Sequence, residues 1–82
     1  ILRATAWRKL KNLDLALDDI TRALAVAPSG IDALLERGNI YALRGELTKA
    51  AGDWRDVIRL SPNSIAAEAA RGNLTKNTKQ AP

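Results

Sequence analysis

Residues 31–64 read IDALLERGNIYALRGELTKAAGDWRDVIRLSPNS, and this stretch decides the fold. In its first half Leu34, Gly38, Tyr41 and Ala42 recur at helical spacing. In its second half Leu47, Ala50, Ala51, Trp54, Val57 and Ile58 do the same. Gly45 follows Arg44 between them, where a glycine ends a helix by entering the left-handed region. Ser61-Pro62-Asn63-Ser64 closes the second half with a proline break. The stretch therefore predicts two helices, 31–44 and 47–60, folded back on each other. No β-branched run of period two occurs anywhere in the chain.

Working outward, the same pattern flanks this hairpin. Upstream, Leu13, Ala16, Leu17, Ile20, Ala23, Leu24 and Ala27 predict a helix over 13–27, ended by Pro28-Ser29-Gly30. Trp7 and Leu10 predict a shorter helix over 2–11. Downstream, Ile65, Ala69, Ala70 and Leu74 predict a last helix over 64–75. The polar tail Lys76-Asn77-Thr78-Lys79-Gln80-Ala81-Pro82 has no apolar anchor and is expected to fray. Residues 1–75 thus read as one helical domain and 76–82 as a flexible tail.

One interval runs through the chain. Pro28 and Pro62 stand 34 residues apart, as do Leu13 and Leu47, Ala16 and Ala50, and Asp19 and Asp53. Arg3, Arg37 and Arg71 form a series with the same step, and Arg37-Gly38-Asn39 recurs as Arg71-Gly72-Asn73. Bulky residues match too: Trp7 with Tyr41, and Ile20 with Trp54. A fixed period of this length marks stacked supersecondary units.

With these residues in view, the chain resembles the tetratricopeptide repeat (TPR) family, whose unit is a 34-residue helix–turn–helix. Residues 31–64 carry a nearly full match: Gly38 and Ala50 at the small positions, Tyr41 and Trp54 at the bulky ones, Gly45 at the turn and Pro62 at the end. Residues 1–30 form a partial first repeat with Ala4, Trp7, Ala16, Ile20, Ala23 and Pro28; residues 65–75 form half a repeat with Gly72. The resemblance implies an all-α, TPR-like solenoid of two antiparallel helical hairpins plus a C-terminal helix. Arg3, Arg37 and Arg71 depart from the family, which usually places Leu there, and Val57 replaces a small residue. Asp19 and Asp53 share the arginines' period, so two readings stand side by side. Either an Arg–Asp ladder runs between hairpins, or the guanidiniums reach solvent over their aliphatic stems.

Composition narrows the function. The 82 residues include no Cys and no His, so no thiolate–zinc site and no common nucleophile–base pair can be assembled. Ser29, Ser61 and Ser64 sit at helix boundaries and read as caps or turns. Asp53 and Asp56 alone make a poor metal site, and no phosphate-binding glycine motif is present. The chain reads as a non-enzyme with no cofactor. No apolar run approaches the ~20 residues that span a bilayer. The chain starts at Ile1 rather than Met, which leaves room for an upstream segment.

The charge of +4 and pI near 10.0 suit an acidic protein partner as well as nucleic acid. Signs alternate through the middle of the chain, and Trp7, Tyr41 and Trp54 are all taken by the core pattern. Both points argue against nucleic acid. The TPR resemblance implies instead a protein–protein interaction scaffold, with first helices lining a concave groove for a peptide or a partner helix. By position the groove residues are Thr5, Arg8, Lys9, Leu35, Glu36, Asn39, Leu43 and Asn73, with Asp32, Ala66, Ala69, Ala70 and Lys76 beside them. Asn39 and Asn73 fall where the family places an amide that hydrogen-bonds a peptide backbone, a task suited to a group that both donates and accepts. The places of a carboxylate-clamping Lys hold Ile1, Leu35 and Ala69, which disfavours a C-terminal carboxylate ligand. The alternative function is homo-oligomerisation through the N-terminal flank around Leu2, Trp7, Leu10, Leu15 and Leu17, since short repeat arrays leave apolar faces uncovered.

Overall fold

In a computed structural model, the backbone is described for residues 2–80 and the side chains for residues 12–77. Four helices follow one another: α1 (Leu2–Val26), α2 (Ile31–Leu43), α3 (Leu47–Leu60) and α4 (Ile65–Gln80). The all-α expectation holds. The expected number of helices does not, because the segments predicted over 2–11 and 13–27 run together as α1, 25 residues long.

The turn chemistry explains the difference. After α2, Gly45 takes φ +82, its N–H donates to the Ala42 carbonyl at 3.0 Å, and the Glu46 N–H donates to the Tyr41 carbonyl at 2.8 Å. This is the double bond of a Schellman stop, and it needs a residue that enters the left-handed region without a Cβ penalty. One period earlier the chain has Lys11, followed by Asn12. Nothing there breaks a helix, so α1 continues. At the other end α4 continues past Thr75 to Gln80, beyond the helix expected over 64–75, since the Lys, Asn and Thr of this stretch include no Gly or Pro.

The core lies where α2, α3 and α4 meet. Ala50, Trp54, Val57, Ala67 and Ala70 are sealed from solvent, with Leu34, Leu24 and Ala66 around them. Among the described residues α1 packs only against α2, contributing Leu24 as its one buried side chain. The small residue of α2 acts as the repeat pattern requires. At Gly38 a Cβ would lie 2.6 Å from Trp54 Nε1 and 2.7 Å from its Cδ1. Only a bare Cα lets α2 approach the indole this closely. Gly38→Ala gains up to about 1 kcal/mol of helix propensity but overpacks a rigid, buried ring. Overpacking costs about 1–3 kcal/mol. The expected net result is a lower urea midpoint, read by far-UV circular dichroism. Gly72 stands one period later, but a Cβ there meets nothing within 4 Å.

Ser64 caps α4 as its boundary position suggests. Its hydroxyl accepts from the Ala67 N–H at 3.0 Å and donates to the Ser61 carbonyl at 2.7 Å. Arg71 donates to the Pro62 carbonyl and pins the start of α4 to the preceding turn.

Candidate functional site

Two polar arrangements on the α2–α3–α4 core bear on function. The first is the Arg37–Asp53 pair. Arg37 Nε and Nη2 donate to the two oxygens of Asp53, each at 2.8 Å, in a bidentate bridge from α2 to α3. Asp53 is the one buried charged residue among those described. Arg37 is thus answered by an aspartate of the same period, but the bridge joins the two helices of one hairpin, not neighbouring hairpins as the ladder reading expects. The Asp53 hydrogen bonds raise the Arg37 pKa above its ordinary value, against the opposing effect of burial. The Arg37 guanidinium also lies 5.8 Å from the centre of the Tyr41 ring, and the Lys49 ammonium lies 5.6 Å from the same centre. Arg3 lies outside the described side chains, and Arg71 is engaged with Pro62.

The second arrangement is an amide relay. Asn39 Oδ1 accepts from Trp54 Nε1 at 3.2 Å and from Asn73 Nδ2 at 2.9 Å. One oxygen on α2 thereby ties the indole of α3 to α4. Asn77 Nδ2 in turn donates to the Asn73 carbonyl at 2.7 Å. Beside this relay lies an open depression of about 370 Å³, lined by Asn39, Ala42, Leu43, Trp54, Asn73, Lys76 and Asn77. A second hollow of about 310 Å³ opens on the other flank of Trp54, between Leu47, Ala51, Arg55 and Leu74.

Of the residues expected in the groove, Asn39, Leu43 and Asn73 come together here, joined by Lys76. Leu43 is 69 % exposed. Leu35 does not line the depression: it is half-buried against the core. Glu36, Asp32 and Ala69 stand apart from it. Ala66 and Ala70 belong to the core rather than the groove, because α4 turns them toward α3. Thr5, Arg8 and Lys9 lie outside the described side chains, as do Leu2, Trp7 and Leu10 of the expected self-association flank. In the described part of that flank Leu15 is exposed and Leu17 half-buried.

The Asn39 oxygen is the main departure from expectation. Both its lone pairs are already engaged, so it has no capacity left to accept a ligand N–H. Its Nδ2 group remains to donate to a carbonyl. Trp54 and Asn77 are lining residues that position matching does not select. Trp54 reads as core from its spacing, yet it forms the floor between both hollows. Among the described residues no group of three or more carboxylates could hold a metal ion, and no helix is long and apolar enough to cross a membrane.

Known proteins similar to this chain are far longer than it is. The chain is 31% identical over 77 residues to sperm-associated antigen 1 of Mus musculus, covering 94% of this chain and 8% of that protein. It is 39% identical over 59 residues to bacteriophage adsorption protein A of Escherichia coli (strain K12), covering 72% and 6%. With DnaJ homolog subfamily C member 3 of Mus musculus it shares 28% identity over 74 residues, covering 90% and 15%. The chain thus spans a small fraction of the length of each of these relatives. No protein-family model and no solved structure matches it. The relatives are TPR-containing proteins, and together with the packed helices they support a TPR-like, helical-repeat assignment for this chain.

Proposed function

We propose that the chain is a protein-interaction module that receives an extended peptide, or one face of a partner helix, in the groove between α2 and α4. The observation that carries this reading is the 370 Å³ depression, in which an exposed Leu43, the Lys76 ammonium and three asparagine side chains converge. A peptide backbone laid there would offer its carbonyls to Asn39 Nδ2 and its N–H groups to the Asn73 and Asn77 oxygens. Leu43 and the Trp54 edge supply apolar contact, and Lys76 favours a partner with acidic side chains. The lining consists of Ala, Leu, Trp, Asn and Lys, which offer recognition and no activated nucleophile. The work of the site is therefore binding rather than catalysis. The TPR-containing relatives agree in general terms with a protein-interaction role.

The test uses peptides selected from a random display library on the immobilised chain and titrated into isotope-labelled protein. Amide shifts are expected at Asn39, Leu43, Asn73, Lys76 and Asn77. Leu43→Asp leaves the fold unchanged, because Leu43 is on the surface, and weakens the selected peptides by about tenfold, or ~1.4 kcal/mol. Shifts confined to another face, or affinity untouched by Leu43→Asp, would exclude the groove.

A further inference from the structure

We infer that copies of this chain stack head to tail, with α1 of one copy docked on the outer face of α4 of the next in the register that α3 keeps on α2. The inference is independent of the groove and rests on a triplet that the chain uses once and then repeats. On α2, Arg37-Gly38-Asn39 receives a helix. Arg37 grips Asp53 at 2.8 Å, the bare Cα of Gly38 admits the Trp54 ring, and Asn39 Oδ1 accepts from Trp54 Nε1 at 3.2 Å. On α4, Arg71-Gly72-Asn73 repeats the triplet. Among the described residues nothing covers it. A Cβ at Gly72 would meet nothing within 4 Å, whereas one at Gly38 would strike the indole. Arg71 is exposed and gives one of its donors to the Pro62 carbonyl, which leaves others for a carboxylate. Asn73 Oδ1 accepts no hydrogen bond from a described residue, although Asn73 Nδ2 donates to Asn39.

The matching surface is on α1. Asp53-Trp54 has its counterpart one period earlier in Asp19-Ile20. Asp19 is exposed and in no ion pair with a described residue, and Ile20 is half-buried where Trp54 is 2 % exposed. Shifting both arms of the second hairpin by one period, α2 forward and α3 back, sets Asp19 against Arg71 and Ile20 over the open notch of Gly72. The same shift turns Leu34 and Asp56, which line one hollow, into Glu68 and Arg22. These two are exposed, opposite in charge and in no ion pair with a described residue. One register thus forms two ion pairs of opposite sense, Asp19–Arg71 and Arg22–Glu68. A reversed helix would set like charges together, which fixes the direction of docking. Asp14 stays with Arg44 of its own α2 at 3.6 Å and takes no part. The two surfaces differ, so the contact is heterologous and assembly grows open-ended rather than stopping at a pair.

The experiment is sedimentation velocity on the whole chain across the micromolar range at low salt, with helicity checked by circular dichroism. The parent is expected to give a concentration-dependent ladder of species beyond the dimer. Asp19→Arg sets base against Arg71 and disables the α1 surface. Gly72→Leu fills the notch and disables the α4 surface. Neither change disturbs a packed contact, since Asp19 is exposed and a side chain at Gly72 enters open space. Each variant alone assembles more weakly than the parent by tenfold or more. Mixed in equal amounts, they form a one-to-one heterodimer at close to the parent's affinity and nothing larger. In it the intact α1 surface of the Gly72→Leu chain sits on the intact α4 surface of the Asp19→Arg chain. Glu68→Arg, which sets base against Arg22, is a second way to disable the α4 surface and gives the same heterodimer with Asp19→Arg. A parent that stays monomeric across the range overturns the inference. So do assembly that ends at a symmetric dimer, single variants that assemble as the parent does, or a mixture no stronger than its components.

Discussion

Trp54→Ala leaves the chain largely unfolded at 25 °C. Trp54 is buried, fills the notch at Gly38, contacts the core of α3 and α4, and donates its indole N–H to Asn39. Removing a buried aromatic of this size costs about 3–5 kcal/mol through lost transfer energy and the cavity left behind. A core in a chain of roughly this length supplies little more than about 3–5 kcal/mol in total. The remaining interior is mostly alanine and collapses poorly around a hole, because its side chains have no reach. Loss of the cooperative urea transition, followed by far-UV circular dichroism, is the expected reading. Retention of a wild-type midpoint would mean that Trp54 is not the keystone of the α2–α3–α4 core.

Arg37→Ala is the second large effect, and it should exceed Asp53→Ala. Truncating the arginine strands a carboxylate that is only 7 % exposed, with no other cation bridging to it among the described residues. Breaking a buried pair from this side costs about 3–5 kcal/mol. Truncating the aspartate leaves a guanidinium that is 23 % exposed and already rests beside Tyr41, from which it can reach water. That loss is about 1–2 kcal/mol. Replacing both partners by apolar residues of similar volume, as Arg37→Met with Asp53→Leu, should return stability to within about 1 kcal/mol of the parent. Denaturant midpoints of the parent, the two single variants and the double variant separate these contributions, and equal losses for the two single variants would contradict the asymmetry of burial.

The second hairpin is legible in the sequence because each of its devices is a distinct residue type: a glycine where the helices touch, a glycine at the stop, a tryptophan at the seam and a proline at the end. The course of residues 2–27 is not, and the reason is physical. Apolar spacing is the same along one continuous helix and along the two arms of a hairpin, so periodicity there cannot reveal a bend. Only the turn residue can, and Lys11 stands where Gly45 would be needed. That an aspartate answers Arg37 is open to the sequence as one of two readings, since the spacing fits a bridge but neither measures burial nor says which helices it joins. Asn39 lines the depression beside Asn73, yet the engagement of its oxygen by an indole 15 residues away depends on how closely α2 and α3 approach. Ala66 and Ala70 defeat position matching because alanine carries no preference for either face of a helix.

The shared oxygen of Asn39 has a mechanical corollary. It is a single latch holding the tryptophan on one side and the last helix on the other. A guest that claims this latch for itself must first release one of its two tenants, so occupancy of the cleft and stiffness of the terminal helix are traded against each other through one atom.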